Sequence, residues 1–245
     1  LLIVEDTEDV RNYIKGFMEN QYQIEEAKDG KQGFDKAIDI IPDIIISDVM
    51  MPEMNGFQLC EKLKSDERTS HIPVILLTAR ASEGSKLEGL ETGADDYLIK
   101  PFNSKELIIR VKNLIEQRRK LRERFTKDPN LSLKDITVTS ADERFLNRAM
   151  EIIEQKMSDP EFGVETFSKD IGLSHSQLHR KIRALTNQSP VEFIRILRLK
   201  RAANLLDQKF GNMAEIAYEV GFNNPSYFAE CFRKLFGKSP SEYAK

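Results

Sequence analysis

Short apolar runs punctuate the first half of the chain. Leu1–Val4, Ile44–Ile46, Val74–Leu77 and Tyr97–Ile99 are continuous, and Tyr22-Gln23-Ile24 gives a weaker alternating one. Continuous runs fit strands that are covered on both faces of a parallel sheet. Between them the period changes. Val10, Tyr13, Ile14, Phe17 and Met18 recur at i, i+3, i+4, i+7 and i+8, and so do Leu107, Ile108, Val111, Leu114 and Ile115. That spacing paints one face of a helix. Five strands alternating with five helices predict an α/β doubly wound five-stranded parallel sheet, in which ligands gather at the carboxyl ends of the strands.

The second half has helical periods only, and it repeats itself. Asp142 opens an amphipathic pattern with Phe145, Ala149, Ile152 and Ile153. Phe167, Ile171, Gly172 and Leu173 return 49 residues later as Ile216, Val220, Gly221 and Phe222. With one residue inserted, Leu178, Ile182, Leu185, Ser189, Pro190, Glu192 and Phe193 return as Phe228, Phe232, Leu235, Ser239, Pro240, Glu242 and Tyr243. Each copy reads as helix, glycine turn and second helix, followed by a Ser-Pro-x-Glu helix start with serine at the N-cap and proline at the first helical position. The expectation is an all-α domain with two helix-turn-helix units. The stretch from Lys127 to Ser140 lacks periodicity. The expected division is therefore 1–124 for the α/β domain with an extended last helix, 125–141 for a linker and 142–245 for the helical domain.

Charge separates the halves further. The net charge is −3, yet residues 1–117 carry 14 Lys/Arg against 23 Asp/Glu, while 171–210 carry 8 against 2. An acidic front half does not suit nucleic acid; a locally basic stretch in the rear half does. Arg118–Arg124 is basic as well and reads as a solvated helix end favoured by the helix dipole. Cys60 and Cys231 fall on helices in different halves, which suits buried thiols rather than a disulfide. His71, His175 and His179 lack cysteine partners at zinc-ligand spacing. No apolar run approaches the roughly 18 residues of a membrane span. The chain opens at Leu1 inside a strand-like run, as expected of a piece of a longer protein.

The strand ends carry the candidate chemistry. Glu5 and Asp6 follow the first strand, Asp48 the third, Thr78 the fourth and Lys100-Pro101 the fifth. Three carboxylates converging on one edge repel unless a cation sits among them. Oxygen ligands that leave positions open for water and phosphate suit Mg²⁺, and an ammonium and a hydroxyl beside it are donors for an oxyanion. Here residues 1–120 resemble the response-regulator receiver domains, which are flavodoxin-like in fold. The resemblance is carried by Leu2-Ile3-Val4-Glu5-Asp6, by Pro42–Pro52 around Ser47-Asp48, and by Gly93–Phe102 with its Ala94-Asp95-Asp96-Tyr97-Leu98-Ile99-Lys100-Pro101. It implies that Asp48 accepts a phosphoryl group. It also implies that Asp6, Asp48 and the Met50 carbonyl hold Mg²⁺, with Glu5 helping through water. Thr78 and Lys100 would bind phosphoryl oxygens, Tyr97 would swing inward on activation, and Ala79 is small enough for phosphoryl access. Glu5 stands where the family often has an aspartate. The alternative is an aspartyl-phosphate-forming hydrolase of the haloacid-dehalogenase type, which wants Asp-x-Asp where this chain has Asp6-Thr7-Glu8.

Residues 142–245 resemble the AraC family of transcription activators, most closely through Gly221-Phe222, Ser226-Tyr227-Phe228 and Phe232–Tyr243. The first recognition helix is expected at Ser176–Leu185, with Leu178, Ile182 and Leu185 inward. Ser176, Gln177, His179, Arg180 and Arg183 are then outward, with Arg180 the candidate for a guanine edge. The second is expected at Ser226–Phe236 and exposes Ser226, Glu230 and Arg233. Asn224, Lys181, Arg195, Lys234 and Lys238 are candidates for phosphate contacts. The whole resembles the C-terminal part of a one-piece hybrid two-component regulator. The expected partners are promoter DNA, a histidine kinase domain in the same full-length chain, a second copy through the receiver, and RNA polymerase. The expected location is the cytoplasmic side, with the full-length protein anchored in the inner membrane.

Overall fold

The computed structural model describes residues 1–79, 92–127 and 139–244, and the chain divides into two compact units, one built on Leu1–Lys120 and one containing Glu143–Lys245. In the first, β1 (Leu2–Val4), β2 (Glu25–Ala27), β3 (Ile45–Asp48), β4 (Val74–Thr78) and β5 (Asp96–Ile99) form one parallel sheet in the order β2-β1-β3-β4-β5. The helices α1 (Glu8–Met18), α2 (Gly30–Ile40), α3 (Gly56–Ser65) and α4 (Ser104–Lys127) cover it. A fourth helix expected between Thr78 and β5 falls on residues 80–91, outside the described residues.

The alternation along β1 shows why both faces are buried. Leu2 and Val4 enter a cluster with Phe34, Leu59 and Leu63, while Ile3 enters another with Ile14, Leu107 and Val111. All of the β1, β3 and β4 side chains are buried, each apolar one contributing about 1.5–3 kcal/mol of transfer free energy.

The second strand is displaced from its expected position at 22–24 to Glu25–Ala27. It is an edge strand, paired with β1 alone in the register Leu2↔Glu25 and Val4↔Ala27. An edge strand need not be apolar, because pairing and side-chain salt links hold it. Glu26 accepts a 2.6 Å bond from Lys15 and lies 3.6 Å from Arg11. Tyr22 and Ile24, the residues that suggested a strand, instead pack on the α1 side of the core.

The second unit is helical: α5 (Ser140–Lys156), α6 (Val164–Ile171), α7 (His175–Thr186), α8 (Pro190–Asp207), α9 (Met213–Glu219), α10 (Pro225–Phe236) and α11 (Pro240–Tyr243). One core joins them, with Phe145, Phe167, Phe193 and Phe232 fully buried. Both predicted Ser-Pro-x-Glu starts are capping boxes, Ser189 with Glu192 and Ser239 with Glu242, a device worth about 1 kcal/mol for each cap. Helix takes in both ends of the expected 125–141 linker: α4 continues to Lys127, and α5 begins at Ser140, where the Thr139 hydroxyl accepts the Asp142 amide at 3.1 Å. Residues 128–138 lie outside the described ones. No described helix is long and apolar enough to cross a membrane.

Candidate functional site

Parallel pairing brings the strand ends level. Val4 pairs with Ser47, Asp48 with Leu77 and Thr78 with Ile99, so the residues that follow each strand converge on one rim. Glu5, Asp6 and Asp48 each place a carboxylate oxygen within 4.8 Å of the others. Lys100 closes the cluster, its Nζ lying 2.7 Å from Glu5 Oε2 and 2.7 Å from Asp48 Oδ1. Glu5 and Asp48 are buried while Asp6 is exposed, so the site opens to solvent on the Asp6 side.

Burial pushes the Glu5 carboxyl above its usual range and the nearby Asp48 adds to this, against the pull of Lys100. Burial opposes the charge on Lys100, but the hydrogen bonds it donates to Asp48 and Glu5 outweigh it and raise that pKa. Three carboxylates against one ammonium leave a formal charge of −2, which one divalent cation balances. Oxygen ligands about 2.1 Å from such an ion stand some 3–4 Å apart from each other, and these carboxylate oxygens lie within 4.8 Å of one another, so the donor set fits a hard cation that keeps part of its water.

The expected phosphoryl-binding and switch residues take several positions around this rim. Thr78 ends β4 and is buried, and Ala79 beside it is exposed. The Met50 side chain is exposed. Tyr97 is half-buried among the α3-side cluster, its hydroxyl 3.5 Å from that of Thr92.

Three features were not foreseen. Arg11 lies buried on α1, and its Nη1 donates to the carbonyls of Glu5 at 2.7 Å and Asp6 at 3.1 Å. It thereby holds the loop that carries both acids. An arginine bordering the apolar face of α1 was the available signal. Gly56 opens α3 directly over the loop that follows β3: its amide bonds Val49 O at 3.0 Å, and a Cβ there would overlap the Asp48 carbonyl oxygen and lie 2.9 Å from Val49 Cα. Arg118 corrects the expectation of a solvated helix end. It is buried, donating to Asp95 at 2.8 Å, and the other Asp95 oxygen takes Lys64 and the Val74 amide.

In the rear unit Leu178, Ile182 and Leu185 face the core as expected. Ser176, Arg180 and Arg183 on α7 are exposed, as are Asn224, Ser226, Glu230, Arg233 and Lys234 on or beside α10. His179 and Gln177 are half-buried, and Ser174 caps α7 by accepting from the Gln177 backbone amide, while the Gln177 side chain accepts from the Ser174 amide. Asn224 caps α10, accepting from the Ser226 and Tyr227 amides. Lys181 corrects its placement among phosphate contacts. It is 1% exposed, with its ammonium 5.5 Å over the Phe145 ring, because its position in α7 adjoins Leu178 and Ile182 on the inner stripe.

Comparison with known proteins agrees with this geometry. Residues 1–112 match the response regulator receiver domain family, and residues 167–245 match a helix-turn-helix domain family. Histidine kinase P4 of Formosa agariphila is 47% identical over 99% of this chain, which spans 18% of that protein. The DNA-binding dual master transcriptional regulator RpaA of Synechocystis is 38% identical over 48% of this chain and 49% of its own length. Among solved structures, the signal receiver domain of a signal transduction histidine kinase from Syntrophus aciditrophicus is 39% identical and covers 47% of this chain and 89% of its own, with a TM-score of 0.45. The front unit thus belongs to the response regulator receiver domains and the rear unit to the AraC-type helix-turn-helix domains.

Proposed function

We propose that Asp48 accepts a phosphoryl group from a phosphohistidine and that its arrival changes how the rear unit binds promoter DNA. What carries the reading is the rim itself: a buried acceptor carboxylate beside two further acids, with one lysine bonded to both buried ones. In the transfer, an Asp48 carboxylate oxygen forms the new P–O bond as the P–N bond to the donor imidazole breaks, and the imidazole keeps the electron pair and takes a proton. Lys100, 2.7 Å from Asp48, turns its ammonium to a phosphoryl oxygen, and the Thr78 hydroxyl donates to another. Asp6, Asp48 and the Met50 carbonyl would hold Mg²⁺, with Glu5 acting through water, and the ion supplies charge neutralisation for phosphoryl transfer. Ala79 leaves room for the group, and Tyr97 moves inward once Thr78 has shifted.

The output follows from mass action. Two receivers paired through the face built from the helix expected between β4 and β5, which lies outside the described residues, together with β5 and α4, would bring two rear units to adjacent sites, raising affinity through effective concentration. Arg180 reads a guanine edge, with Ser176, Gln177, His179 and Arg183 around it, and Ser226, Glu230 and Arg233 read through α10. Asn224, Arg195, Lys234 and Lys238 meet phosphates. The donor is a histidine kinase domain of the same full-length chain, which places this piece on the cytoplasmic side of an inner-membrane-anchored protein, and RNA polymerase is the downstream partner. This assignment makes the chain a phosphoacceptor regulator and not a hydrolase.

The test is labelling with acetyl phosphate and Mg²⁺. Wild type takes up one phosphoryl group that Asp48→Asn abolishes; label persisting in that variant would move the acceptor elsewhere.

A further inference from the structure

The second helix-turn-helix is braced against the first at its glycine turn. Gly221 has φ +79°, and a Cβ there would overlap the Met157 carbonyl oxygen and lie 3.0 Å from the Arg198 guanidinium carbon. Arg198, on α8, donates from Nη2 to the Asp159 carbonyl at 2.9 Å and to the Phe162 carbonyl at 3.5 Å. The Ser158 hydroxyl donates to the carbonyl of Glu219, the last residue of α9, at 2.8 Å. The segment 157–162, which leads into α6 of the first helix-turn-helix, is thus bonded to the connecting helix on one side and to α9, the first helix of the second helix-turn-helix, on the other.

This brace supplies what α8 alone does not. An 18-residue helix fixes a length of about 27 Å between the two helix-turn-helix motifs, but not the tilt of the second motif at its far end. There the chain passes through the exposed stretch Gln208–Gly211, with Lys209 at φ +51°. A tilt of about 10° on a lever of about 20 Å would carry a recognition helix roughly 3.5 Å, close to one base-pair step along a strand. Stability alone does not call for an arginine at the brace: Arg198 Nε is buried without a hydrogen-bond partner, a desolvation cost that an apolar side chain of similar volume would avoid.

We propose that Arg198 is a positioning residue for DNA reading: by pinning segment 157–162 against the Gly221 turn it sets the separation and phase of α7 and α10, and with them the gap the protein accepts between its two half-sites. The inference rests on the DNA-binding function proposed above. It makes Arg198 a determinant of spacing rather than of base identity.

The experiment is selection from a pool of random DNA duplexes by the full chain, carried out with wild type, Arg198→Met and Ser158→Ala. Wild type should enrich two short blocks at one fixed gap, and a one-base-pair insertion in the selected duplex should weaken its binding tenfold or more. Arg198→Met should enrich the same two blocks with the gap spread over two or more lengths and an insertion penalty under threefold. Ser158→Ala, which removes one bond of the same brace, should move in the same direction and decides the matter if Arg198→Met does not fold. A single unchanged gap in the variants, or an equal loss of affinity at every gap, would overturn the proposal. If wild type enriched no sequence at all, the DNA-reading function itself would fail, whatever the variants did.

Discussion

Replacing Lys100 by methionine removes the one cation shared by two buried carboxylates and keeps most of the stem volume. The ammonium lies 2.7 Å from oxygens whose side chains are 2% exposed in Glu5 and 9% in Asp48. Each contact amounts to about 6 kcal/mol of gross attraction at an effective dielectric constant near 20. Much of that offsets the desolvation of the ions, and breaking a buried pair costs about 3–5 kcal/mol. Lys100 keeps 24% of its surface, so solvent screens part of the interaction, and the expected loss at neutral pH without divalent ions is about 2–4 kcal/mol. The pH dependence has a definite sign. Burial already holds the Glu5 carboxyl above the usual carboxylate range, and losing the ammonium raises it further. A carboxyl with a raised folded pKa favours the native state while protonated. The variant's penalty is therefore smallest below the unfolded pKa and grows as pH rises through the folded one. Because two units unfold in one chain, the assay is hydrogen exchange at the β1 and β3 amides, which reports opening of the front unit by itself. Magnesium should shrink the penalty by binding the folded form. A loss below about 0.5 kcal/mol, the worth of an exposed pair, with no change from about pH 4 to 8, would refute the claim that this lysine compensates buried charge.

Gly56→Ala forces the acceptor loop to move, since the new methyl meets only backbone at Asp48 and Val49. The expected cost is about 1–3 kcal/mol with weaker Mg²⁺ binding, measured by calorimetry; unchanged metal affinity would show that the loop tolerates the shift. Burial pushes the Cys60 thiol up to about 11. Alkylation at about pH 8 should therefore run roughly a hundredfold slower than for an ordinary thiol, and equal rates by mass spectrometry would contradict the buried placement. Arg180→Ala should weaken binding to the selected DNA by about 1–3 kcal/mol and relax the preference at one base pair; unchanged affinity would remove Arg180 from base reading.

Periodicity alone carried the fold a long way. Runs such as Ile44–Ile46 must be buried on both sides, and the α1 and α4 spacings paint one face each, so the alternation of strands and helices followed from the sequence, while the strand order β2-β1-β3-β4-β5 came from the tertiary structure. The acids and the lysine at successive strand ends were legible for the same reason, because parallel pairing leaves strand ends at one rim whatever the loops do. The repeat in the rear half was legible because glycine turns and Ser-Pro-x-Glu caps are local devices. Three-dimensional packing decided the rest. The edge strand took the charged Glu25–Ala27 rather than Tyr22–Ile24, since pairing with β1 and salt links to α1 outweigh an apolar pattern of only three residues. Arg118 and Lys181 lie buried though their neighbours in sequence advertise solvent, because burial of a long cation depends on an Asp95 or a Phe145 that the chain brings from far away. Sequence spacing sets which side chains share a face of an element; only contacts between distant segments set what that face meets.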